Sequence, residues 1–324
     1  MKKLALLIVI FLLVISGLLF GWIKLNHKGP EITKRTRFLM DTYCTIQVPG
    51  KAEEVDKIID AAFSRMEEVD QKFNILNPKS PLYHFNNNNT PITDPEIINV
   101  IKISQKVNQE SEGAFDITVE PLVRLWGFYT DGSMHLPDKE DIRKILNQIG
   151  LNHLKITDDK IEKDSAEIHI DLGGIAKGYG IGEAVKSLKN NGLKSALIEA
   201  GGQVYAFGTI NGQPWKIGIR NPRANGVIAG LAVNKESGIS TSGDYERFFE
   251  ENGVRYHHIL DPKTGYPARG LMSMSVITED PTLADAWSTA LFVMGPEKAM
   301  QLVRKNPEIK IIIVMDDGKI ISCP

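Results

Sequence analysis

The chain has 324 residues and a formal net charge of −2, with 38 Lys plus Arg against 40 Asp plus Glu. That length can bury a substantial core, while the balanced charge leaves no electrostatic footprint for nucleic acid. Two cysteines exclude a disulfide framework, so Cys44 and Cys323 are either unpaired thiols or a single bridge between the chain's ends.

Lys2-Lys3 leads into a nearly uninterrupted apolar run over residues 4–23. At a rise of about 1.5 Å per residue, such a run spans a hydrocarbon core of about 30 Å. Residues 1–24 therefore read as a signal anchor or a signal peptide. No small-x-small cleavage pattern follows, which favours an anchor, with the body on the extracytoplasmic side of a cell membrane. Residues 25–37 form a polar, charged connector, and one folded domain is expected over 38–324.

Within that domain, Ile46 and Val48 mark a strand, and residues 52–69 place Val55, Ile59, Ala62, Met66 and Val69 on one helical face. Residues 74–90, with their asparagine run, read as a solvated loop. Helices are expected over 95–112 and 137–150. Short alternating strands follow at 154–156, 167–172, 196–199, 215–219, 228–233, 254–259 and 272–277. The chain closes with helices at 282–294 and 296–305 and a strand at 309–315. Segments mixed in this way argue for an α+β fold rather than a regularly alternating wound sheet.

The stretch from Asp171 to Gly182, DLGGIAKGYGIG, puts an acid, a base and five glycines where a strand becomes a helix. Free N–H groups and the positive end of the macrodipole favour an anion there, and Lys177 adds a full charge. Neither the Walker pattern nor the dinucleotide fingerprint fits these glycines, and a tight packing turn is the competing reading. Further on, Ser288 and Thr289 follow Asp285 at helical spacing, presenting a carboxylate and hydroxyls on one face as oxygen ligands suited to Mg²⁺. His257 and His258 should point to opposite faces of an extended strand, so one of them faces any cleft. Thr241 to Tyr245 groups hydroxyls and a carboxylate on a loop, and Asp116 within an apolar stretch needs a partner.

Taken in order, Met40-Asp41-Thr42, Gly113-Ala114-Phe115-Asp116, Asp171 to Gly178, Glu199-Ala200-Gly201-Gly202, Ser242-Gly243-Asp244-Tyr245, His258 to Pro262, and Asp285 with Thr289 resemble the ApbE-type flavin transferase family. The family is also described as FAD:protein FMN transferases, and the resemblance covers about residues 37–294. It implies an α+β fold related to the T-fold group, with mixed or antiparallel sheets and packed helices behind an N-terminal membrane-spanning helix. It also implies Mg²⁺-dependent transfer of FMN from FAD to a threonine hydroxyl of an exported or membrane acceptor flavoprotein, a redox protein, releasing AMP. FAD would be held by Met40, Ala114, Phe115, Asp116, Asp171, Lys177 and the backbone of Ile259. The metal would be held by the Gly174 carbonyl with Asp285, Ser288 and Thr289. Where many members carry an aromatic residue in the early loop over the flavin, this chain has Leu76.

His258 is the candidate base, since an imidazole accepts a proton near neutral pH, with Asp244 or Asp261 as alternatives. Two rival readings share these residues. One is an FAD pyrophosphatase, in which water replaces threonine and FMN and AMP are released. The other is a noncatalytic extracytoplasmic flavin-binding protein.

Overall fold

Eight strands form the main sheet in the order in which the chain supplies them: Ile32–Leu39, Thr42–Pro49, Ala196–Ala200, Gln203–Phe207, Ser237–Gly243, Leu271–Thr278, Lys310–Met315 and Ile320–Cys323. Every neighbouring pair is antiparallel. The computed structural model describes residues 31–129, 133–233 and 235–323. The apolar run at 4–23, and with it the anchor or signal-peptide expectation, lies outside the described residues. Among those described, no helix is long and apolar enough to cross a membrane.

Helices Ala52–Phe73, Ala176–Asn190 and Pro281–Met294 cover one face of the sheet. Alternation along each strand places Cys44, Ile46, Val48, Ile198 and Ala200 under them, against Ile59, Phe63, Ile181 and Leu188. On the opposite face, Trp215, Ile217 and Ile219 of a smaller sheet (Thr209–Ile210, Gln213–Arg220, Val227–Val233) pack on Leu197, Ala206, Ile239 and Ile312. Both faces are thus buried, which gives the layered α+β arrangement expected from the segment order. Cys44 and Cys323 sit toward opposite edges of the sheet and both are free thiols; burial, foremost, pushes the Cys44 thiol up to about 12.

Several local expectations are corrected. Strand Ile32–Leu39 begins inside the stretch read as a connector. It pairs along its whole length with Thr42–Pro49, and Arg35 and Arg37 reach Asp56 and Asp60 on the adjoining helix. Residues 74–90 are not all loop. Ser80 accepts hydrogen bonds from the N–H groups of Leu82 and Tyr83 and starts helix Pro81–Asn88, which buries Leu82, Phe85 and Asn86. Residues 241–243, read as loop, complete strand Ser237–Gly243.

Segment 167–172 has the alternation of a strand, with Ile168, Ile170 and Leu172 buried, yet it joins no sheet. Its ladder partner is a side chain. Asn86 Nδ2 donates to the Ile170 carbonyl at 2.9 Å, and Asn86 Oδ1 accepts from the Ile170 N–H at 2.9 Å. An asparagine amide matches the donor and acceptor of one residue of a neighbouring strand, so it satisfies backbone that burial has cut off from water. Asn86→Ala is expected to leave two buried backbone groups unpaired and to cost roughly 2–4 kcal/mol, measured as a fall in urea midpoint at unchanged slope.

Candidate active site

A cleft of about 410 Å³ opens at one end of the main sheet, where hairpin turns, loop ends and two helices converge. Met40 and Asp41 make the two-residue turn between the first strands with φ of 55° and 57°, the left-handed geometry of a hairpin that normally uses Asn and Gly. Holding non-glycine residues there costs of order 1 kcal/mol or more each. The turn is fixed by Asp70, whose Oδ2 accepts the Met40 N–H at 3.0 Å. Strain at this point keeps Met40 on the cleft wall.

The segment 114–118 forms another wall. Asp116 finds its partners in the Thr118 N–H at 2.8 Å, the Thr118 hydroxyl at 2.6 Å and Asn108 Nδ2 at 3.3 Å. Burial, the leading cause, raises its carboxyl above the usual range despite these bonds. Phe115 is buried with its ring against Gly174, where an added Cβ would stand 3.0 Å from the ring edge. Ala114 completes this wall. Leu76, 43% exposed, lines the early loop, while Phe128 and Tyr129 bring rings to the cleft from elsewhere.

Asp171 accepts the Gly173 N–H at 2.7 Å and the Tyr129 hydroxyl at 3.0 Å. Burial raises the Asp171 carboxyl, and burial beside it raises the Tyr129 hydroxyl well above its ordinary value. Lys177, in the first turn of the following helix, folds back so that its ammonium donates to the Gly173 carbonyl at 3.0 Å. The five glycines divide into two sets. Gly173 and Gly174 line the cleft, whereas Gly178, Gly180 and Gly182 lie inside helix Ala176–Asn190 as packing positions. A Cβ on Gly178 would meet the Pro281 carbonyl oxygen at 2.2 Å, and one on Gly180 would meet Met40 Sδ at 3.0 Å. The packing reading holds for Gly178 and Gly180, while Gly173 and Gly174 are placed where a ligand could approach the backbone.

The two helices are locked at the site itself. Gly178 is the third residue of its helix, so its N–H has no helical acceptor, and Asp285 Oδ2 accepts it at 2.9 Å. The other carboxylate oxygen accepts from Gln203 Nε2 at 2.8 Å. Asp285 is therefore not on an exposed helix face; it is 1% exposed, with the positive helix end directed at it.

Ser288, expected as a metal ligand, is fully buried behind this corner and does not line the cleft. Its hydroxyl donates to the Asp285 carbonyl at 2.8 Å, so at Ser242, 2.9 Å away, it accepts. Ser242 in turn lies 3.3 Å from the Thr289 hydroxyl, which donates to it and keeps its own lone pairs free. A hydroxyl has one proton, and Ser288 uses it on the backbone; its role is to orient Ser242 and Thr289. The oxygens left at the cleft belong to Asp285, Thr289 and the Gly174 backbone, a hard donor set for Mg²⁺. Among the described residues no group of three His, Cys, Asp or Glu is placed to hold a softer metal.

His258 lines the cleft and His257 does not; the strand expected over 254–259 ends at His257, and His258 lies in the bend after it. His257 Nε2 donates to the Ala268 carbonyl at 2.8 Å, leaving Nδ1 to accept the Ile259 N–H at 3.3 Å. Ile259 is thereby held by its backbone on the cleft wall. His258 Nδ1 is buried without a hydrogen-bond partner. Burial, with smaller repulsion from neighbouring cationic groups, lowers His257 to about 4 and His258 to about 3.

Asp244 is displaced from the base role. It is buried outside the cleft lining in a bidentate pair with Arg223, at 2.8 and 2.5 Å, with Arg255 at 3.8 Å. Asp261 caps its own turn through the Lys263 N–H and the Thr264 hydroxyl. Several lining residues carry no role in the sequence analysis, among them Asp70, Tyr129, Gln203 and Arg247; Gln203 closes the Glu199–Gly202 turn, and Arg247 follows the Ser242–Tyr245 motif.

The lowered histidines give a pH dependence. A group depressed in the folded state contributes stability that is full above its unfolded value of about 6.5 and is lost as pH falls toward the folded value. Asp116 and Asp171, raised on folding, work oppositely, their contribution fading as pH rises through the carboxylate range. The melting temperature is therefore expected to fall between pH 7 and 5, and His258→Asn to make that slope shallower.

The ApbE family profile matches residues 40–313. The chain is 33% identical over 314 residues to the FAD:protein FMN transferase of Haemophilus influenzae, spanning 91% of this chain and 88% of that protein. With the FAD:protein FMN transferase of Escherichia coli K12 it shares 31% over 291 residues, 85% and 82% of the two chains. The crystal structure of an ApbE protein from Thermotoga maritima superposes with a TM-score of 0.84 at 35% identity, covering 90% of this chain and 97% of that one. The apo flavinyl transferase ApbE of Pseudomonas stutzeri gives 0.79 at 31%, covering 92% and 96%.

Proposed function

The chain belongs to the ApbE family and is a flavin transferase, and on that premise we propose that it moves FMN from FAD to a threonine hydroxyl of an exported or membrane acceptor protein, releasing AMP. Mg²⁺ is assigned to Asp285, Thr289 and the Gly174 carbonyl. When bound there, the cation supplies positive charge to the pyrophosphate during displacement. The apolar run at 4–23 supports an anchored enzyme working outside the cytoplasm.

The observation that carries this reading is the convergence on one cleft of an oxygen-donor corner, a lysine and an unpartnered imidazole. Phosphoryl-type transfer asks little covalent chemistry of a protein; it asks for alignment and charge neutralisation. The acceptor oxygen forms a bond to the FMN-side phosphorus while the bond from that phosphorus to the bridging oxygen breaks, and AMP leaves with the bridging oxygen. Lys177 and Arg247 balance the phosphate charge. His258, whose ring lines the cleft and is neutral at working pH, is the base that takes the hydroxyl proton. The pyrophosphate's negative charge raises the basicity that burial lowers. Asp171, Asp116 and Met40 hold the dinucleotide.

Incubation of the protein with FAD, Mg²⁺ and a threonine-bearing acceptor should add FMN to the acceptor, seen by intact mass, with stoichiometric AMP. Free FMN and AMP with an unmodified acceptor would establish the pyrophosphatase instead; bound but intact FAD would establish a binding protein. In calorimetric titration, Lys177→Met should weaken FAD about tenfold or more with little change in melting temperature, because the ammonium faces the cleft rather than the core.

A further inference from the structure

Gln203 opens strand Gln203–Phe207 directly after Gly201 and Gly202, whose φ values of 55° and 87° turn the chain into the cleft. Its side chain is 6% exposed. Nε2 donates to Asp285 Oδ1 at 2.8 Å, and Oε1 is buried with no hydrogen-bond partner. The amide cannot be turned over, because that would set its oxygen against a carboxylate oxygen at hydrogen-bond distance. The carboxylate therefore dictates which way the amide faces. An acceptor buried alone in this way costs about 1–3 kcal/mol unless something binds it.

We propose that Gln203 is a further residue of the metal corner: Nε2 fixes the Asp285 carboxylate, and Oε1 offers a neutral oxygen to the divalent cation, directly or through one of the cation's waters. The inference rests on the assignment of a cation to Asp285 and Thr289. A hard cation completes its shell with neutral carbonyl oxygens and water as readily as with carboxylates. Gln203 also separates two functions in one side chain, since the group that orients Asp285 and the group that meets the ligand are different atoms of one amide.

Mn²⁺ binding followed by electron paramagnetic resonance, with and without FAD, tests this without reference to turnover. Gln203→Leu removes both atoms and should weaken Mn²⁺ at least tenfold. Gln203→Glu loses the N–H donor but keeps an oxygen, now charged, and should bind Mn²⁺ at least as tightly as the parent. A Gln203→Leu protein that binds Mn²⁺ like the parent overturns the proposal. So does a Gln203→Glu protein that binds tenfold more weakly than the parent, which would mark Oε1 as facing an N–H or O–H of the organic ligand. If Gln203→Leu fails to fold, the comparison of Gln203→Glu with the parent decides alone. A parent that binds no Mn²⁺ under either condition removes the metal assignment itself, a result separable from both of these.

Discussion

Asp285→Asn should reduce FMN transfer by about 10³-fold while the protein melts within a few degrees of the parent. The carboxylate lies 1% exposed between the Gly178 N–H and Gln203 Nε2. An asparagine in the same volume can still accept from Gly178, and the Gln203 amide can turn to receive its NH₂. What disappears is the negative charge to which the proposed cation is assigned, and a lost charge-stabilising group of this kind costs on the order of 10²–10³ or more in rate. Asp285→Ala is different. It removes the acceptor of three buried donors, the Gly178 N–H, Gln203 Nε2 and the Ser240 hydroxyl, at about 1–3 kcal/mol for each left unpaired, so both melting temperature and transfer should fall. Parallel intact-mass assays and thermal melts of the two variants separate the chemical role from the structural one. Full transfer by Asp285→Asn would show that no charge is needed there.

Gly178→Ala should be strongly destabilising for a single added methyl. Its Cβ would stand 2.2 Å from the Pro281 carbonyl oxygen and 2.6 Å from Asp285 Cβ, both anchored in the facing helix. Backbone cannot swing aside as a side-chain tip can, so the helices must part, at a cost of about 3 kcal/mol or more. Parting them also withdraws the Gly178 N–H from Asp285. Gly182→Ala is the internal control: its Cβ would meet Pro281 Cγ at 3.5 Å and Thr282 Oγ1 at 3.7 Å, ordinary contacts. There the better helix propensity of alanine should leave stability equal or raised by up to about 1 kcal/mol. Urea unfolding of both variants gives the comparison, and a Gly178→Ala protein as stable as Gly182→Ala would refute the packing account.

The residues legible in the sequence are those whose chemistry and period coincide. Asp285 and Thr289 stand one helical turn apart, and the structure keeps them on one cleft; His257 ends its strand and His258, in the bend that follows, is the one at the cleft. Helix starts at Pro95 and Pro281 are announced by Asp94 and Asp280, whose side chains cap them. Illegible residues depend on partners far along the chain. Segment 167–172 has a strand's alternation without a strand's neighbour, because alternation reports burial and cannot say whether a ladder or the Asn86 amide satisfies the backbone. Ser288 has a ligand's spacing but faces the wrong way around the helix by one position, which only the proton chain through Ser242 reveals. Asp244 looked free because Arg223 and Arg255 reach it from other strands and turns.

The order of the main sheet bears on how the chain assembles. Its strands lie in sequence order, yet Thr42–Pro49 must wait for Ala196–Ala200, with Ile46 opposite Ile198. Everything between them, including the walls bearing Phe115 and Asp171, intervenes as one long excursion. Closing so large a loop adds little to the equilibrium cost, since each doubling of length adds only about 0.6 kcal/mol. Its effect falls on rate, because distant pairings form late and the waiting hairpin Ile32–Pro49 presents an unpaired edge to other chains meanwhile. During synthesis the N-terminal hairpin emerges first and the helix carrying Asp285 near the end. Flavin affinity should therefore appear only in the last phase of refolding, making dinucleotide capture a direct clock for completion of the chain.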